Sequence, residues 1–438
     1  MTANLGRRPF PQEIVDLFVD ELAGAFNLDS AYERVERRKA LNNLNSTSKS
    51  FRSRARLHLF SDISIALSPD PWTNHNSLAL QILLSQNPDI AQTVVTLRLV
   101  LRHDYSQAAG PAKFDDNTLP CIVDKLQNLR QLSITSTGGI LNSWGTFGTN
   151  LLQVVYALHN RPTLETLILY QVSFIDVVLF KWSSLKKVVL HGSPIIPQSE
   201  QALPSFLQHK SNVQPESIAL STPWQDQPFI TADDWTPIRN VKHVKMRICD
   251  DWDMTFARKI IHRTERQLES LSLLVQAAWI PNSRKFNGTT NPFSFQYLQS
   301  IDYEEIGLRF DKESADITIN SILAFCACPA LQIIGIKIRW FASQGKNSSE
   351  LSDSTLSFEA MCLGKEIWSK LDDALSRLPA LRDLQIEIDL LYPSESESRR
   401  RIAFLEQARL QWVPSMAFPH LSSKNGRRCI LLTCKDIT

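Results

Sequence analysis

Glycine is scarce, with 14 residues in a chain of 438. That argues against glycine-rich phosphate loops and against barrel-like sheets built on many tight turns. No Gly-x-Gly-x-x-Gly, Walker loop, Gly-x-Ser-x-Gly or His-Glu-x-x-His occurs, so the familiar nucleotide, serine-hydrolase and zinc-protease motifs are missing. No window approaches eighteen uninterrupted apolar residues, so no membrane span is expected. The first residues are polar and hold no signal-peptide core. Charge of one sign is lacking too. Lys and Arg total 47 against 45 Asp and Glu, and a net charge of +2 gives no global pull towards nucleic acid or membrane. The seven cysteines are odd in number and scattered. They read as reduced thiols of a cytoplasmic or nuclear protein. Cys326-Ala-Cys328 has the wrong spacing for a zinc knuckle, and Cys429 and Cys434 fall on a terminal strand, so all four read as core thiols.

What is present is ordinary globular material, 43% apolar and 21% charged, enough for two or three average domains. The first sixty-five residues form helical patterns. Pro11 suits a first helical turn, and Gln12 and Glu13 suit the positive end of the helix dipole. Phe10, Ile14, Phe18 and Leu22 recur every four residues, while Val15 and Val19 make a second stripe and Leu17 widens the apolar surface. A surface helix needs one apolar face. Two faces imply that one packs internally and the other is covered by something else. Ser30 and Glu33 make a capping box for a second helix carrying Leu41 and Leu44. A third begins near Ser48 and carries Phe51, Ala55, Leu59 and Phe60, and the segment runs on through Ile63 to Ile65.

The run Phe-Pro-x-Glu-Ile-x-x-x-Phe-x-x-x-Leu from Phe10 to Leu22, followed by the Leu41 to Phe51 pattern, resembles an F-box. Phe10 stands where that family usually has Leu, the link over about 23–37 is long, and Glu36 to Lys39 is unusually charged. The resemblance implies docking onto a Skp-type adaptor and through it a cullin scaffold. It makes Pro11, Ile14, Phe18, Leu22, Leu44 and Phe51 the contact candidates, some of which must instead form the internal core.

Beyond residue 90 an apolar-x-x-apolar-x-apolar pattern recurs. Its copies are Val94/Leu97/Leu99, Leu129/Leu132/Ile134, Leu164/Leu167/Leu169, Leu185/Val188/Leu190 and a weak Ile218/Leu220. Then come Val241/Val244/Met246, Leu268/Leu271/Leu273, Leu298/Ile301/Tyr303, Leu331/Ile334/Ile336 and Leu381/Leu384/Ile386, starting about 21 to 50 residues apart. The last two apolar residues share one face of a strand, and the first enters from the preceding turn. One unit cannot bury its apolar edge, but stacked parallel units can. Amphipathic helices are expected over 118–127, 150–158, 255–266, 317–326 and 365–378, each crossing over to the next strand. A shared Pro junction at 325–332 and 375–382, with a variant at 161–165, supports a true repeat.

The pattern resembles leucine-rich repeats, without the usual Asn or Cys after the strand, where Thr137, Val172 and Ser193 stand. The fold class expected is therefore α/β: an F-box-like three-helix module over 8–65, an irregular leucine-rich-repeat solenoid over 66–392 and a C-terminal cap over 393–438. The overall style resembles the divergent F-box-like families of mushroom-forming fungi. That likeness implies a non-catalytic substrate receptor of a ubiquitin ligase, with an unknown target protein and no cofactor, nucleic acid or membrane partner. The alternative class is a repeat scaffold outside any ligase, its helices only a cap. An enzyme in a divergent α/β fold is a third.

Other features read as structural. The basic run Arg34 to Arg56, with eight Lys and Arg, reads as a solvated helix face. Asp250, Asp251 and Asp253 read as a solvated acidic loop, His191 and His243 as strand residues, and His209 and His262 as surface ones. Trp224 and Trp235, in one Pro-rich insertion, are equally compatible with burial and with a protein-binding hot spot.

Overall fold

The computed structural model describes residues 11–24, 31–68, 75–102, 113–137, 142–143, 146–159, 161–173, 175–176, 185–192, 195–196, 215–221, 240–276, 293, 295–307, 312–325, 328–341, 365–393, 419–422 and 427–437. Phe10, Ser30, His209, Cys326 and the Trp224/Trp235 insertion lie outside them. The chain divides into two compact units, Met1–Ser173 and Phe174–Thr438.

The first unit opens with α1 (Gln12–Gly24), α2 (Ala31–Thr47) and α3 (Lys49–Phe60). It continues as β1 (Asp62–Leu67), α4 (His75–Gln86), α5 (Pro88–Thr93), β2 (Thr96–Arg102), α6 (Leu119–Lys125) and β3 (Gln131–Thr137). After these come β4 (Asn142–Ser143), α7 (Thr149–His159), β5 (Thr166–Tyr170) and β6 (Val172–Ser173). Strands β1, β2, β3 and β5 pair in chain order, all parallel, and β4 pairs with β6.

The second unit runs β7 (Ile175–Asp176), β8 (Lys187–His191), β9 (Ile195–Ile196), β10 (Ser217–Ser221), β11 (His243–Ile248), α8 (Asp251–Thr264) and β12 (Ser270–Gln276). Then follow β13 (Ser300–Gly307), α9 (Lys312–Phe325), β14 (Ile333–Phe341), α10 (Lys365–Ser376), β15 (Asp383–Pro393), α11 (Pro419–Ser422) and β16 (Arg427–Ile437). From β8 through β10 to β16 every neighbour is parallel and next in order, while β7 pairs with β9. Each unit is thus an all-parallel α/β assembly.

The recurrent triads set the register. Ile65 lies beside Leu99, Leu99 beside Ile134 and Ile134 beside Leu169. In the second unit Val188, Ile218, Val244, Leu271, Ile301, Ile334 and Leu384 are successive ladder partners. Every residue of the triads is buried. A one-residue slip would turn the whole apolar set outward, which is why the pattern specifies the pairing. A backbone ladder marks each strand entrance. The carbonyl after the first apolar residue accepts two successive N–H groups from the next unit: Val95 from Arg130 and Gln131, Lys242 from Glu269 and Ser270, Gln332 from Arg382 and Asp383. Main-chain bonds therefore join these turns from unit to unit.

Three features differ from the sequence reading. Ile63 and Ile65 lie on β1, paired with β2, rather than in the helical module. The triad Phe60-x-x-Ile63-x-Ile65 fits the repeat pattern, and helix α3 masks it by running into the strand with only Ser61 between. The acidic residues after β11 are a helix start, not a solvated loop. Asp250 caps α8 by accepting from the Asp253 N–H at 2.8 Å, and buried Asp253 accepts from the Cys249 N–H at 2.8 Å. The basic run is not uniformly solvated, since Arg37 is buried and Arg54 is paired. The expected crossover helices occur as α6, α7, α8, α9 and α10, with α4 and α5 in addition.

Candidate docking site on the N-terminal helices

Helix α1 starts where Pro11 offers its carbonyl to the Ile14 and Val15 N–H groups at 3.1 and 3.3 Å. The structure separates its two apolar stripes. Val15, Val19 and Ala23 are buried, and Val19 and Ala23 share a small core with Leu41 of α2 and Ala55 of α3. Leu44, Phe51 and Leu59 pack half-buried against that core. The other stripe faces out: Ile14 is 52% exposed, Leu17 57% and Phe18 54%.

The six contact candidates therefore divide. Pro11, Ile14 and Phe18 are on the open surface. Leu22 is half-buried. Leu44 and Phe51 serve the module's own core. Phe18 is held at its base by Phe51, edge to face with ring centroids 6.2 Å apart, a favourable aromatic geometry. Leu17, which sequence reasoning treated as a widening of the surface, is the most exposed of the three. Its spacing from Ile14 was the available signal. Leu57 of α3, and Tyr32 and Val35 of α2, are also exposed and were not picked out.

The stripe sits on a braced frame. Asp20 of α1 accepts two bonds from the Arg54 guanidinium, both 2.6 Å, and lies 2.8 Å from His58 Nε2. Hydrogen bonds from Arg54 and His58 hold the Asp20 carboxyl well below the usual carboxylate range. Gln12 Nε2 reaches the Ser50 carbonyl at 2.9 Å. Ser48 caps α3 by accepting from the Ser50 N–H at 3.2 Å. Arg37 Nε donates to the Ala23 carbonyl at 3.1 Å, satisfying the end of α1 from a buried position. Burial lowers the Arg37 pKa, and the Asp62 charge opposes that shift.

The arrangement has the chemistry of a binding surface. Three apolar side chains, each half in water, can bury the rest of their surface against a partner, and a fully buried side chain of this size contributes about 1.5–3 kcal/mol. Among the described residues no group of three or more His, Cys, Asp or Glu could hold a metal ion, and no helix is long and apolar enough to cross a membrane. Several buried polar groups of the second unit have structural partners. Tyr303 donates to Glu305 at 2.7 Å, Asp372 accepts from the His420 and Leu421 N–H groups, and Cys328 donates to the Leu298 carbonyl.

No protein-family model matches the chain, and a search of curated proteins found no match.

Proposed function

We propose that this chain is a non-catalytic substrate-recognition subunit of a Skp–cullin–F-box type ubiquitin ligase. Its N-terminal helices would dock a Skp-type adaptor, and its parallel-strand units, read as divergent leucine-rich repeats, would hold a target protein. The reduced, scattered cysteines of the sequence suit the cytoplasm or nucleus. The observation that carries this reading is the Ile14–Leu17–Phe18 face, open on a helix that already closes a core of its own through Val19 and Ala23. A helix serving only as a cap has no need of a second apolar face.

The alternative is a repeat scaffold outside any ligase. The junction of α3 and β1 favours it, because helices joined to the first strand by Ser61 alone are placed as a cap would be. Co-expression of the full chain with a Skp-type adaptor, followed by size-exclusion chromatography, tests the choice. Co-elution supports the receptor; two separate folded species sink the ligase reading.

A further inference from the structure

On β8, β10 and β11 the triad residues face the core and the alternate residues face away from it. Three of those alternate residues, His191, Ser221 and Arg247, are successive partners in the parallel register. Neighbouring strands are about 4.8 Å apart, so the row spans roughly 10 Å. Lys187 and His243 lie two rows earlier on that face, four residues back along their strands, and Lys245 lies in the row between. Lys187, His243 and Lys245 are exposed.

Two atoms of this row are buried without a hydrogen-bond partner, Arg247 Nε and Ser221 Oγ. Arg247 bonds to Cys249, and among the described residues it has no carboxylate partner. The same sheet face over β13 to β15 is different. There Arg339 pairs with Glu304 at 2.8 Å, Lys337 with Glu387 at 2.6 Å, and buried Asp389 lies within 4 Å of both cations. Lys242, beside the basic strands, is likewise taken by Glu269 at 3.0 Å. A guanidinium half withdrawn from water with no carboxylate beside it is costly, whereas Lys337, Arg339 and Lys242 each have one. Burial and the nearby Arg247 charge also lower the His191 pKa, as expected where positive charge is already in excess.

We propose that this row is an acceptor site for an acidic, carboxylate-rich segment of a partner protein lying extended across β8 to β11. It rests on the reading of the parallel-strand units as a target holder, and names the chemistry of the target. The Arg247 fork matches a carboxylate bidentately, and the Ser221 hydroxyl donates beside it. The basic residues extend about 13 Å along the strands at roughly 3.3 Å per residue, the reach of several residues of extended chain rather than of one small anion.

A fluorescein-labelled deca-glutamate peptide and the full chain, followed by fluorescence anisotropy, test this. Arg247→Met should weaken binding by about tenfold or more, as loss of a charge-assisted pair implies. Ser221→Ala should weaken it severalfold, and neither change should lower the melting temperature. Arg38→Ala with Arg56→Ala, in the basic run of the helices, should leave binding intact. Equal binding by wild type and Arg247→Met, loss in the Arg38/Arg56 variant, or tighter binding of a DNA duplex through Arg247 would each overturn the proposal. A drop in melting temperature for Arg247→Met would also overturn it, by making Arg247 a structural residue. Adaptor co-elution of Arg247→Met should match wild type. If the adaptor never co-elutes while the peptide still binds through Arg247, the ligase reading falls and this site stands.

Discussion

Asp20 and Gly148 show how single residues hold the first unit together. The Asp20 carboxylate joins α1 to α3 through Arg54 and His58. Its side chain is 35% exposed, so solvent screens the pair and its removal costs about 1 kcal/mol at most. The sign with pH follows from the depressed carboxyl. An unfolded Asp titrates near about 3.9, so the stabilisation is complete above that value and is lost as pH falls below it. Melting curves of wild type and Asp20→Asn should differ at about pH 6 and converge as the solution is acidified. Gly148 is a packing constraint. A Cβ there would lie 2.3 Å from the Asp115 Cβ, and Asp115 itself accepts from the Leu151 N–H at 3.1 Å in the first turn of α7. Gly148→Ala should therefore cost about 1–3 kcal/mol, seen as a lower melting temperature. Either residue looks unremarkable in sequence, because each matters through a contact some thirty-five residues away.

At the scale of elements, the buried ladder makes a sharp contrast between neighbours. Leu271 is buried between Val244 and Ile301, and Leu271→Ala should cost about 2–5 kcal/mol in chemical denaturation. Ser272 is half-buried on the opposite face, with a 3.3 Å bond to Asp302, and Ser272→Ala should stay within about 0.5 kcal/mol. This ladder was the legible part of the fold, because period-2 burial writes itself into the chain as Leu-x-Leu spacing. Strand β1 was less legible: Phe60, Ile63 and Ile65 carry the pattern, but the helix residues before them carry an apolar pattern of their own. The N-terminal surface was legible in kind, since two stripes on α1 implied two partners. Assigning Leu44 and Phe51 inward and Leu17 outward needed the angles at which α2 and α3 cross α1, and a one-dimensional pattern does not hold those. The row His191–Ser221–Arg247 was illegible for the same reason. Its members are 30 and 26 residues apart in sequence and meet only through the parallel register.

For the whole molecule, two demands fall on different parts of the chain. The parallel units bury their triads and join successive strands through main-chain bonds. The N-terminal helices also close a core, yet leave Ile14, Leu17 and Phe18 half in water. Adaptor docking is the proposed reason. The most direct measurement pairs two readouts on full-length Ile14→Asp with Phe18→Asp: melting temperature, and calorimetric affinity for a purified Skp-type adaptor. Side chains at the centre of an interface commonly contribute about 2 kcal/mol or more, so the account predicts an affinity loss beyond about a hundredfold with the melting temperature unchanged. A chain that melts well below wild type, or one that binds the adaptor as wild type does, would contradict it.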